Sequence, residues 1–157
     1  MPQQFDLQPS PLKHLRKVST EGGGGFWTPV ITFQTPGDLS VTYDFQWGKY
    51  ALTYLEARVR FYIVTSAFTH STASGTLRIT GLPFFTSDAE TAGPLQYSGI
   101  TKAGFTSFVA YAPSGQKFLT ISACGSGVTS VNVQAADMPS GGTISLIGQI
   151  NYIADLV

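Results

Sequence analysis

Two histidines, one cysteine and a scatter of carboxylates are the only side chains in this 157-residue sequence with reactive potential. Neither His14 nor His70 stands at HxxxH or HExxH spacing, and a single cysteine, Cys124, can neither close an intrachain disulfide nor build a multi-cysteine zinc site. Cys124 ends the apolar run 118–124 and reads as a buried strand thiol rather than a nucleophile. Asp38, Asp44, Glu56, Asp137 and Asp155 are dispersed, while Asp88 and Glu90 share the stretch TSDAETAG, whose composition is that of an exposed loop. A glycosidase pair needs two carboxyls held by rigid elements at a fixed separation. The four glycines at 22–25 lack a following Lys-Ser/Thr, so they form no phosphate cradle, and Gly125-Ser126-Gly127 reads as a hairpin turn. The expectation is a protein that binds and does not catalyse, with no cofactor and no metal.

Aromatic residues are the remaining functional currency. Stacking on a sugar ring takes an exposed aromatic plate beside polar donors. Tyr97, Phe84 and Phe85 flank a presumed long loop, residues 86–94, whose neighbourhood adds Thr86, Ser87, Asp88 and Gln96. His70 sits in a second hydroxyl-rich loop at 69–74. These eight residues form the expected ligand site, and the ligand chemistry that fits them is a neutral glycan. Most of the earlier aromatics, Trp47 and Phe45 among them, are expected in the core, with a sugar-stacking or subunit-contact role the alternative for those two.

Composition narrows the setting. Apolar residues make up 43% of the chain and charged residues only 11%, against about 25% charged in an average soluble domain. Nine basic residues balance nine acidic ones, which leaves no field for nucleic acid. No apolar stretch is long enough for a membrane span or a signal peptide, so membrane insertion and secretory export are not expected.

The chain divides at its glycine run. Residues 1–25 read as an attachment arm and swivel: Phe5, Leu7, Leu12 and Leu15 are spaced anchors, and Lys13, Arg16 and Lys17 form a basic cluster suited to an acidic face on another protein. Residues 26–157 read as one β-domain. Period-two alternation marks strands at 27–34, 41–50, 51–65 and 76–80, with shorter ones at 95–100, 107–111, 117–124, 128–133 and 143–152. Leu55, Ala57, Val59, Phe61 and Ile63 share one face of the third, and Val41, Tyr43, Phe45 and Trp47 one face of the second. Gly81-Leu82-Pro83 is a hard stop, and residues 135–138 suggest one helical turn. The fold class is all-β, an antiparallel β-sandwich with a jelly-roll-like arrangement plausible, and its low charge with two aromatic faces points to a homotrimer.

The strings GFWTPVITF (25–33), TPGDLSV (35–41), SGTLRITGLPF (74–84) and GQINY (148–152) resemble the C-terminal β-domain of bacteriophage fibre and spike proteins. The resemblance covers residues 25–153. It implies a trimeric protein of the virion surface, on tail or head, that contacts the host envelope, but it carries over no binding residue. Two functions stay open: host attachment through surface glycan, and a head fibre, decoration or adaptor role without specific receptor binding.

Overall fold

Alternating apolar and polar residues turn into strands along most of the described chain, residues 22–156 of the computed structural model. Eleven strands lie there: β1 (Gly23–Trp27), β2 (Val30–Thr35), β3 (Ser40–Thr53), β4 (Glu56–Thr69), β5 (Ser74–Thr80), β6 (Phe85–Thr86), β7 (Thr91–Ser98), β8 (Ser107–Ala112), β9 (Phe118–Cys124), β10 (Val131–Asn132) and β11 (Ser145–Asp155). A single 3-10 turn, Ala135–Asp137, falls where one helical turn is expected.

The sheet order is β1-β3-β4-β11-β7-β8-β9-β5-β2, with β10 on β9 and β6 on β11. All pairings are antiparallel. Strand β7 is the fold line, because residues 95–98 pair with β11 while residues 91–94 pair with β8. The two halves close on a common core that includes Ile31, Phe33, Val59, Phe61, Ile79 and Ile121. This is the all-β, sandwich-like class expected from the sequence. The ends of the sheet are drawn together where the Tyr43 hydroxyl accepts from the Ile31 amide at 2.9 Å and the Gln46 amide donates to the Pro29 carbonyl at 2.8 Å.

Four local expectations are corrected. The glycine run is no swivel: Gly23, Gly24 and Gly25 pair with Leu52, Ala51 and Tyr50. A Cβ on Gly24 would come within 2.9 Å of the Tyr50 carbonyl, and one on Gly25 within 3.0 Å of the Tyr50 ring, so the run serves close approach rather than mobility. The strand expected at 27–34 breaks into β1 and β2 at Thr28-Pro29. Residues 51–65 are not one strand, since β3 runs on to Thr53 and turns through Tyr54 and Leu55 into β4, leaving Leu55 exposed and off the face of Ala57. Register shifts between Tyr43 and Phe45 rotate β3, so Val41 and Tyr43 pack on the core while Phe45 is exposed on the other side and Trp47 follows it.

Sheet ends and turns account for the rest. The presumed loop at 86–94 contains β6 and the first half of β7, and the strand expected at 128–133 shrinks to two residues. The expected attachment residues Phe5, Leu7, Leu12, Lys13, Leu15, Arg16 and Lys17 lie outside the described residues.

Candidate functional site

Strand β4 decides how the expected ligand residues relate. His70 follows its last residue, whereas Glu56, its first, pairs with Ile153 beside the Ser87–Asp88 corner. At ~3.3 Å per residue, about 40 Å of strand separates the two ends. The loops at 69–74 and 86–94 therefore do not converge on one ligand.

At the His70 end, Asp38 clamps two turns together. Its carboxylate accepts from the Ser71 amide at 2.9 Å and hydroxyl at 2.6 Å, and from the Thr72 amide at 2.7 Å and hydroxyl at 2.9 Å. Four donors on one carboxylate, led by the Ser71 hydroxyl, hold it well below the usual carboxylate range. His70 is a packing residue here, its ring edge-on to Phe33 and Phe68 at 5.2 and 5.6 Å and its carbonyl accepting from the Ser140 hydroxyl at 2.7 Å.

At the opposite end, Phe85, Thr86, Ser87 and Asp88 stay together, but in structural roles. Thr86 is buried, its hydroxyl donating to the Pro113 and Gln116 carbonyls and accepting from the Gln116 amide. Ser87 donates its amide to the Ile153 carbonyl at 2.8 Å. Phe84 stands edge-on to Tyr50 at 5.4 Å, and its carbonyl accepts from the Tyr152 hydroxyl at 3.2 Å. Phe85 is exposed with the Lys117 ammonium 5.4 Å from its ring centre, and Asp88 is exposed beside Leu55. Tyr97 and Gln96 lie elsewhere: Tyr97 packs edge-on to Phe108 at 4.6 Å, and Gln96 is exposed opposite Ile147.

A broad concave surface lies on the outer face of β7, β8, β9 and β10, an open trough of about 870 Å³. A second hollow of about 330 Å³ shares Glu90 and Asn132 with it, so the two form one furrow reaching Arg78 on β5. The alternation of β8 and β9 puts Tyr111, Thr120, Ser122 and Cys124 on this face. Cys124, read from sequence as a strand thiol, is indeed in a strand but only half-buried at the trough wall. The Glu90 carboxylate beside the Tyr111 hydroxyl, more than burial, pushes the phenol up to about 12. The Ser122 and Thr120 hydroxyls reach the Asn132 side-chain oxygen at 3.1 and 3.4 Å.

Sequence reading missed this face. Glu90 is exposed, as its loop composition suggests, but nothing local says that it borders a face built from β8, β9 and β10. Thr120 and Ser122, alternating with Leu119, Ile121 and Ala123, were the available signal. Among the described residues, no three His, Cys, Asp or Glu side chains are grouped to hold a metal ion.

A solved structure shares the fold. The crystal structure of the Dettilon tailspike protein matches with a TM-score of 0.64 at 18% identity, over 85% of this chain and 24% of the tailspike chain. The similarity thus spans about a quarter of that protein's length and establishes the fold. No protein-family model matches this sequence. No curated protein matches it either.

Proposed function

We propose that this chain is a bacteriophage virion protein of the fibre or spike type, tail-associated, that attaches particles to the host cell by binding surface glycan. The observation that carries the reading is the fold shared with a tailspike across 85% of the chain. The surface supports it: charge is sparse, hydroxyls and amides line the main furrow, and no reactive group stands in it apart from Glu90 and the half-buried Cys124.

The working form is a homotrimer. Outward-facing Phe45 and Tyr62 pack with tilted rings at 4.7 Å, and Trp47 and Ile147 flank Tyr62 in register, which leaves an apolar patch on β3, β4 and β11 suited to a second copy. Residues 1–21 dock the trimer on another virion protein through their spaced apolar and basic residues.

Adsorption tests the attachment role. Purified protein, mixed with host cells before particles are added, should occupy the receptor and lower adsorption in proportion to its concentration. Unchanged adsorption at saturating protein would refute the role and favour a purely structural part in the virion.

A further inference from the structure

We infer that the furrow across β7–β10 and β5, centred on Glu90 and Asn132, is a binding site for a neutral saccharide chain. This assignment rests on the glycan-binding reading above and deepens it by moving the site from the loop at 69–74 and the Phe84–Asp88 corner to the sheet face that Glu90 borders.

Size and shape come first. At about 870 Å³ the main trough falls within the ~300–1,000 Å³ common for small-ligand sites. The adjoining hollow lengthens it, and three inter-strand steps span about 14 Å, enough for more than one sugar ring. An open furrow accepts an internal segment of a polymer, whereas a closed pocket takes only an end.

The polar groups supply both donor and acceptor. The hydroxyls of Ser122 and Thr120 occupy the Asn132 side-chain oxygen, so this exposed residue has its amide nitrogen left as a donor. Glu90, exposed on the same trough as Tyr111, presents its carboxylate as an acceptor. A donor pair and an acceptor side by side match the vicinal hydroxyls of a pyranose, each of which donates and accepts. The half-buried Tyr111 ring on the floor supplies the apolar plate for the sugar's C–H face.

Charge selects among ligands. Lys102 is neutralised by Asp137 at 2.6 Å, the one ion pair among the described residues. Arg78 lies over the Phe118 ring at 4.4 Å, and its Nε is buried without a hydrogen-bond partner. One carboxylate, Glu90, and one guanidinium, Arg78, remain in the furrow and cancel. A polyanion would meet Glu90 at the centre, and a polycation would meet Arg78. Uncharged hydroxyls meet neither penalty.

The test uses the full chain on a printed array of defined bacterial oligosaccharides, neutral and acidic. Wild-type protein should be retained by neutral members, and Glu90→Gln, Asn132→Ala and Tyr111→Ala should each cut apparent affinity about tenfold or more with unchanged melting temperature. Asp88→Ala should bind like wild type. A retained oligosaccharide should also slow alkylation of Cys124 by iodoacetamide, because that thiol lines the trough and is the chain's only cysteine. Retention by acidic members alone, no retention at all, folded trough variants that bind normally, or alkylation at an unchanged rate would each overturn the site. Blockade of adsorption that survives Glu90→Gln and Asn132→Ala would sink the furrow and leave the attachment role standing. Array binding without blockade would do the reverse.

Discussion

Asp38 shows how one exposed carboxylate can organise an end of the fold. It sits in the turn between β2 and β3, and all of its side-chain acceptors face Ser71 and Thr72 in the turn between β4 and β5. Replacing it with Asn keeps one oxygen but removes the charge that strengthens these bonds. Asp38→Asn should therefore melt at a lower temperature than wild type near neutral pH. The sign of the pH dependence follows from a depressed folded-state pKa: the contribution is fully present above the unfolded value, about 3.9, and fades as pH falls below it toward the folded value. The gap in melting temperature should thus be constant between about pH 5 and 7 and narrow below about pH 4. A gap that widens on acidification would show that the carboxylate is not the clamp. The turn's Pro36-Gly37-Asp38 signature was legible in the sequence, but the partner loop 33 residues away was not.

Among the elements, the β3–β4 hairpin is the clearest case of a turn hidden from sequence reading. Two 14-residue strands meet at Tyr54 and Leu55, with no Gly, Pro, Asn or Asp to announce the reversal. Tyr54 pays for it by adopting φ +55°, and its side chain is 64% exposed. Tyr54→Gly should stabilise the protein by about 0.5–1 kcal/mol, the relief of left-handed strain less the greater freedom of unfolded glycine, read as a higher midpoint in urea. A lower midpoint would mean that the Tyr54 ring contributes packing that outweighs the strain. Alternation did reveal the cores of β4 and β5, where Val59, Phe61, Leu77 and Ile79 all face inward. It failed at Phe45 and Trp47 because a register shift exchanges the faces of a strand without any mark in composition. The glycine run misled for a related reason, since the Tyr50 ring that requires Gly25 comes from a strand paired only in three dimensions.

For the whole molecule, the same register shift that exposes Phe45 creates the patch proposed as the trimer contact. Phe45→Ser combined with Ile147→Thr removes apolar surface from exposed positions, so the protomer should keep its far-ultraviolet circular dichroism. Sedimentation velocity at micromolar concentration should find wild type as a trimer and the double variant as a monomer. A monomeric wild type would remove the trimer from the account. The strand order could not be read from sequence because pairing across the β7 fold line joins segments with no mutual signal. The class of fold could, because short alternating strands and Gly/Pro turns recur along the domain. The candidate furrow needed the structure, as its residues come from five strands and the segment before β7. Tail association is the central claim, and gold-labelled antibody raised against residues 23–157, imaged on intact particles, tests it most directly. The account predicts gold on the tail at the host-proximal end; gold on the head, or particles that carry none, would contradict it.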